Sequence, residues 1–252
     1  MEEYVCTHVY VPLRKGPSHR AEMGSQILFG ENFFIIEKAA NWGKIRNNWH
    51  NYTGWIDLNH VDLIPATDKG DSSILYHRAT VKKADGSYIA IEPGSEIYSL
   101  SADNKTFQLG GVKYESNEVL KVNLSGEPVS QTAYRFYNTP YLWGGKTASG
   151  MDCSGLTQLA YKLHRIRIPH DSFEQAECGT TVEFLSEAVP GDLLFFDEGS
   201  GKISHVGIYF GDDKIIHSSG RVRIDKIDHQ GIFREEIKKY THRLRVIKRI
   251  VK

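Results

Sequence analysis

Cysteine is scarce: Cys6, Cys153 and Cys178 are the whole complement of the 252 residues. An odd, sparse set is no disulfide framework and fits reduced thiols. Charge of one sign is lacking too. Lys plus Arg and Asp plus Glu both number 31, so the formal net charge is zero, which argues against a nucleic-acid partner bound by broad phosphate neutralisation. No stretch approaches the roughly 18–20 consecutive apolar residues that a membrane span requires, so no membrane partner is expected. The opening run from Met1 to His8 is acidic and carries no apolar core of a secretory signal. The plain expectation is a cytoplasmic monomer, with a periplasmic or secreted protein as the alternative if a leader has been removed. Apolar residues at 40% and charged residues at 25% predict an ordinary packed core.

Residues 1–65 read as short strands: Val9–Leu13, Gln26–Phe29, Phe33–Glu37, Gly43–Arg46 and Gly54–Asp57, separated by Gly, Asn, Pro or Lys. Such spacing predicts a small antiparallel barrel or sandwich. The polar run 65–71 is a linker candidate. Residues 66–126 repeat the pattern more weakly, with Ile74–Val81, Ser87–Ile91, Ile97–Leu100, Thr106–Leu109 and Val112–Tyr114 as strands and Asp85-Gly86 and Gly110-Gly111 as hairpin signals. Ser125-Gly126-Glu127-Pro128 separates this second small β domain, read as a spacer, from residues 127–252.

The last segment differs in character. Ser130–Tyr137 reads as a short helix. Leu156, Leu159, Ala160 and Leu163 recur at i, i+3, i+4 and i+7 and make Cys153–His164 an amphipathic helix. After Pro190-Gly191-Asp192 come strands at Leu193–Phe196, His205–Phe210, Lys214–His217 and Arg243–Ile247. The fold class is therefore α+β, preceded by two small all-β barrels.

Cys153 stands where the helix should begin, after Gly150 and a capping candidate, Asp152. The partial positive charge of a helix N-terminus favours a thiolate nucleophile, although a lone cysteine is more often a buried structural residue. On the strand from His205, alternation leaves His205, Gly207 and Tyr209 on one face, and Gly207 there suggests open space for a substrate. The turn at Gly211-Asp212-Asp213 predicts a hairpin that brings His217 near His205, where it could orient the first imidazole. Both histidines could equally be ordinary polar-face residues. Cys153, Cys178, His205 and His217 could also be counted as a zinc set, but no Cys-x-x-Cys or His-x-x-x-His pair is present. No cofactor or metal is called for, and Cys6 and Cys178 are assigned no function.

Four motifs, Tyr141-Leu142-Trp143-Gly144-Gly145, Met151-Asp152-Cys153-Ser154-Gly155-Leu156, Pro190-Gly191-Asp192-Leu193-Leu194-Phe195-Phe196 and His205-Val206-Gly207-Ile208-Tyr209, occur in order. Together they resemble the NlpC/p60 family of cysteine peptidases. The resemblance implies a papain-like domain that cuts peptidoglycan stem peptides. Cys153 would be nucleophile, His205 general base and acid, and His217 the orienting third residue, with Tyr141 lining the site near the oxyanion. Asp152 and Ser154 would flank the substrate, although Asp152 could serve the cap alone.

Upstream, residues 22–31, Asn41-Trp42-Gly43-Lys44-Ile45 and Tyr52-Thr53-Gly54-Trp55-Ile56 look like a bacterial SH3-like domain. Two such domains before the peptidase resemble the γ-D-glutamyl-L-diamino-acid endopeptidases, which act on short murein peptides with a free N-terminal L-alanine. In that group the first SH3-like domain closes one end of the cleft and reads the alanine ammonium. The matching residues are Glu22 and Tyr52, joined by Asp171 and Ser172. Such a site would reject an acylated alanine, because its carboxylates would be left unpaired. Asp171 and Ser172 read equally well as a helix cap, Glu22 as a surface carboxylate and Tyr52 as a barrel aromatic. The expected partner is thus a murein peptide. The competing expectations are an exported hydrolase of intact peptidoglycan, a non-catalytic wall-binding module, and acyl transfer by the same residues.

Overall fold

The computed structural model describes residues 2–67, 72–122, 126–197, 199 and 201–250. The chain forms two units, Met1–Ser125 and Gly126–Lys252. Residues 68–71 of the expected linker and Ser125 of the second break lie outside the described residues.

The first unit is all β. Its leading half holds β1 (Glu3–Val5), β2 (Tyr10–Arg14), β3 (Met23–Leu28), β4 (Asn32–Ala39), β5 (Trp42–Asn47), β6 (Thr53–Asp57) and β7 (Ile64–Pro65). They pair antiparallel in the order β3-β2-β6-β5-β4-β1-β7. Leu13, Ile27, Phe33, Ile45 and Ile56 fill the interior. A buried carboxylate, Glu31, accepts from the Leu28 N–H at 2.9 Å and from Asn47 Nδ2 at 3.0 Å; such charge-assisted bonds offset its desolvation.

The trailing half holds β8 (Ser73–Ile74), β9 (Ala79–Lys83), β10 (Tyr88–Ile91), β11 (Glu96–Ile97), β12 (Thr106–Leu109) and β13 (Val112–Ser116). These make a four-stranded sheet, β10-β9-β13-β12, and a separate β11-β8 pair. The single strand expected over Ile74–Val81 is broken between β8 and β9. This half shares its core with the leading half: Val5 and Phe29 are buried together with Leu75, Val81, Ile91, Phe107, Tyr114 and Leu120. The Phe29 ring stands edge-on to both Phe107 and Tyr114, at 6.1 and 5.3 Å. Gly30, at φ +80°, lies so close to the Glu96 carbonyl that a Cβ would stand 1.9 Å from its oxygen, so no side chain fits there.

The second unit has α+β character. It holds α1 (Val129–Tyr134), β14 (Lys146–Thr147), β15 (Gly150–Met151), α2 (Cys153–Leu163), α3 (Ser172–Gln175), β16 (Thr180–Val182), β17 (Leu193–Asp197), β18 (His205–Gly211), β19 (Lys214–Ser219), β20 (Arg221–Asp228), β21 (Gly231–Arg234) and β22 (Lys239–Arg249). The main sheet runs β16-β22-β17-β18-β19-β20-β21, and β22 also pairs with β21. Strands β17 to β22 therefore close on themselves, and closure removes exposed sheet edges. Leu194, Phe196, Tyr209, Ile215, Ile227, Ile232 and Ile247 form one core cluster of this sheet. Helix α2 packs against β18 and is buried along its whole length.

Candidate active site

Asp152 starts α2. Its Oδ1 accepts from the Gly155 N–H at 2.6 Å and its Oδ2 from the Gly144 N–H at 2.8 Å, while the Ser154 hydroxyl donates to Oδ1 at 3.2 Å. One carboxylate thus caps the helix, a bond worth about 0.5–2 kcal/mol, and holds the Gly-rich loop before it. Burial pushes the Asp152 carboxyl up to about 6, against the lowering effect of these donors. Gly155 is forced by the same contact, because a Cβ there would meet the Gly145 carbonyl oxygen at 2.1 Å.

The first residue of α2 is Cys153, 7% exposed. The backbone N–H groups of Val206, Ser154 and Cys153 itself act to lower its thiol pKa, and the first of these sets it near the start of β18, where His205 stands. The helix terminus was expected to favour a thiolate. Burial outweighs that effect and, with the Asp152 charge, pushes the Cys153 thiol up to about 12. Burial and the neighbouring imidazoles hold His205 well below its usual range. Both shifts favour the uncharged forms, a thiol and a neutral imidazole. The Ser218 hydroxyl donates to the Met151 carbonyl at 2.8 Å and so ties β19 to the residues that lead into Cys153.

His205 and His217 come together as the hairpin predicted. His217 pairs in register with Gly207, which sets it diagonal to His205 on the same face. His205 Nε2 and His217 Nδ1 are 2.7 Å apart. The space expected at Gly207 is not open to substrate: a Cβ there would meet Ile215 Cδ1 at 2.7 Å and His217 Cβ at 2.9 Å. The glycine makes room for the second histidine.

On the next strand, Asp225 Oδ2 lies 3.0 Å from His217 Nε2, and Arg223 Nη2 donates to Asp225 Oδ1 at 2.7 Å. Arg223 in turn holds Glu236 at 2.6 Å. Burial acts to raise the Asp225 carboxyl, but its bonds to His217 and Arg223 outweigh this and hold it below the usual range. An ionised carboxylate only accepts, so each tautomer downstream follows. His217 carries its proton on Nε2 and presents the Nδ1 lone pair. His205 then donates from Nε2, which leaves its Nδ1 lone pair as the free base. Asp225 and Arg223 were not anticipated from sequence. The alternation Arg221-Val222-Arg223-Ile224-Asp225 reads as a strand with a charged outer face, yet Arg223 and Asp225 are both buried.

A third imidazole, also unanticipated, completes the cluster. His242 of β22 stacks on His205 at 4.2 Å between centroids, and burial pushes it down to about 4. Tyr141, half-buried, pairs with Met151, two residues before Cys153, and burial, then the Cys153 and Asp152 charges, raise its hydroxyl pKa. Ser154 is buried in the first turn of α2.

Asp171 takes the N-cap position of α3 without a side-chain cap bond, and Ser172 is its first residue. Buried Gln175 fixes this segment to α2: its Oε1 accepts from Thr157 Oγ1 at 2.8 Å and its Nε2 donates to the Pro169 carbonyl at 3.0 Å. Glu22 and Tyr52 belong to the first unit. There the Tyr52 hydroxyl lies against Gly24, 2.3 Å from where a Cβ would stand, and Lys15 sets its ammonium over the Tyr52 ring at 5.0 Å. Cys178 lies apart from the cluster and contacts the Glu174 carbonyl at 3.6 Å. Among the described residues, Cys153, His205 and His217 join no group of three ligands close enough to hold a metal ion.

Comparison with known proteins fits this geometry. The model of the NlpC/P60 family matches residues 138–242, and that of the bacterial dipeptidyl-peptidase SH3 domain matches residues 13–61. The chain is 29% identical over 217 residues to a gamma-D-glutamyl-L-lysine dipeptidyl-peptidase of Bacillus subtilis, covering 77% of this chain and 71% of that protein. It is 28% identical over 252 residues to dipeptidyl-peptidase 6 of Lysinibacillus sphaericus, covering 88% and 90%. The crystal structure of an NlpC/P60 family protein from Bacillus cereus superposes with a TM-score of 0.83 at 19% identity, covering 99% and 100%; at that identity the likeness speaks for fold.

Proposed function

Since the chain belongs to the NlpC/P60 family and is a cysteine peptidase, we propose that it hydrolyses the γ-D-glutamyl–diamino acid bond of short murein stem peptides that carry a free N-terminal L-alanine, in peptidoglycan recycling. The observation that supports the catalytic assignment above others is the hydrogen-bonded line Asp225–His217–His205, which leaves Nδ1 of His205 with the lone pair of a base.

In this reading the thiol attacks the γ-carbonyl of D-glutamate while His205 Nδ1 takes its proton. No thiolate need exist beforehand. The oxyanion that forms accepts from the Cys153 N–H at the start of α2, with the Tyr141 hydroxyl nearby. The imidazolium of His205 then returns the proton to the departing amine of the diamino acid, and a thioester remains. Water gives a proton to His205 and attacks the thioester; the C–S bond breaks, His205 returns that proton to the departing sulfur, and the product leaves as a carboxylic acid that ionises in solvent. His217 orients His205, and Asp225 acts through His217 as a positioning residue. Ser154 and Asp152 hold the nucleophile's turn, and Asp171 and Ser172 of the same unit select the free ammonium.

The test is incubation of L-Ala-γ-D-Glu-meso-diaminopimelate, its L-Lys counterpart and their N-acetyl forms with the wild type and with Cys153→Ala. Release of L-Ala-D-Glu from the free peptides by wild type alone is the expected result. Equal cleavage of acetylated peptide or of intact sacculi would reject the selection for a free ammonium. Continued release by Cys153→Ala would reject the nucleophile.

A further inference from the structure

Away from the catalytic residues, the first unit gathers three metal-ligating side chains from distant points of the sequence. His19 lies in the β2–β3 loop, Asp57 ends β6, and His60 follows in the turn after it. His19 Nε2 is 2.9 Å and His60 Nδ1 is 3.6 Å from the same oxygen, Asp57 Oδ2. All three atoms lie within 4.8 Å of one another. We propose that His19, Asp57 and His60 bind one divalent transition-metal ion of the Zn2+ class and thereby staple the β2–β3 loop to the turn after β6.

Three features favour an ion over a simple histidine–aspartate hydrogen bond. The first is spacing. With bonds of about 2.0–2.1 Å to each ligand, a tetrahedral ion sets its ligand atoms roughly 3.3 Å apart, and the two measured separations bracket that value. The second is the support of the carboxylate. The Asn59 N–H donates to Asp57 Oδ1 at 2.9 Å, leaving Oδ2 to the imidazoles, as outer partners orient ligating carboxylates. The third is the arrangement of the rings. His19 stacks against His60 at 5.4 Å and packs edge-on to Trp42 at 5.0 Å, while Nε2 of the first and Nδ1 of the second approach the same carboxylate oxygen.

A donor set of two imidazoles and one carboxylate suits Zn2+, Co2+, Ni2+ and Cu2+ rather than Mg2+ or Ca2+, which prefer all-oxygen shells. The side chains of His19 and His60 are 60% and 69% exposed, so an ion has access and a fourth position is open to water. The tied loop is short and already ordered: Arg14 Nη1 donates to the Ala21 carbonyl at 2.8 Å, and the Lys15 N–H donates to the Glu22 carbonyl at 2.9 Å. An ion at His19 would fix the segment that leads directly into Glu22. The sequence alone pointed to no metal, because the ligands form no close-spaced pair of the familiar kind and meet only through the sheet.

The test uses the full, tag-free chain in a Cys153→Ser background, so that the active-site thiol does not compete, after dialysis against chelator. Zn2+ is titrated calorimetrically and Co2+ by its visible absorption. One equivalent is expected, with a Co2+ spectrum lacking thiolate charge transfer, and Zn2+ should raise the melting temperature. Changes in outer-shell partners alone cost about 10–100-fold in affinity, so His19→Ala with His60→Ala should cost at least that. The same double variant should melt as the parent does without metal. Absence of binding in the parent, or unchanged stoichiometry and affinity in the double variant, would overturn the assignment.

Discussion

His217 and Asp225 form a buried hydrogen bond of 3.0 Å between adjacent strands, and that bond decides which nitrogen of His205 is free. The carboxylate is two hydrogen-bonded imidazole steps from the thiol, yet it sets the tautomer of both rings. Asp225→Ala is expected to lower kcat by on the order of 100-fold, the lower end of what a positioned base contributes, with KM little changed. Asp225→Asn turns its amide oxygen to Arg223 and offers an N–H to His217 Nε2, which reverses the tautomer, so it should lose at least as much as the alanine variant. Near-normal kcat in Asp225→Asn, or a rise in KM without a fall in kcat, would argue against tautomer control.

Three buried histidines also make the fold sensitive to acid. His205, His217 and His242 all have pKa values below the unfolded value of 6.5. Between the folded and unfolded pKa values the unfolded chain binds more protons, so stability falls as pH falls. For His242 that window runs from about 6.5 down to about 4. Asp152, raised to about 6, works in the opposite direction over the lower part of the same window, but it is one group against three. Denaturant midpoints should therefore drop on acidification below pH 6.5, and His242→Phe should flatten the profile. An unchanged profile in that variant would remove His242 from the account.

The preference for uncharged forms makes a prediction about alkylation. A thiol pushed up by burial should react with iodoacetamide at a rate that keeps rising with pH beyond the ordinary thiol value near 8.5. A rate already at its plateau at pH 6–7 would instead indicate a thiolate–imidazolium pair at rest.

Gly207→Ala tests the packing under the second imidazole. The added methyl meets Ile215 and His217 at less than 3 Å, and overpacking of this kind costs about 1–3 kcal/mol. Activity should fall more than stability does, because the displaced group is the one that orients His205. Normal turnover with normal folding would show that the sheet relaxes around the methyl.

Much of this arrangement was legible in the sequence. The i, i+3, i+4, i+7 recurrence gave α2, and the polar residue ahead of it gave the cap and hence the place of Cys153. The turn at Gly211-Asp212-Asp213 gave the hairpin that pairs His205 with His217. What stayed hidden depends on sheet closure. Asp225, Arg223 and His242 are buried because β20, β21 and β22 complete the closed sheet, and their charged alternation resembles a solvent face when read one strand at a time. The His19–Asp57–His60 cluster was hidden for the same reason, since no local spacing records which strands become neighbours. Asp152 shows the converse: both roles considered from sequence were plausible, and the structure occupies its oxygens with Gly144, Ser154 and Gly155.

The common core of the first unit has a consequence for how the chain can be divided. Because Phe29 stands edge-on to the stacked Phe107–Tyr114 pair, and Gly30 is pressed on Glu96, the two β halves cannot be exchanged as independent cassettes. A recombination point near residue 66 would leave each half with an open apolar wound. Phe29→Ala, a loss of about 3–5 kcal/mol, should accordingly melt both halves in one transition. The smallest part of this unit expected to fold alone is therefore larger than the SH3 segment that the sequence outlines.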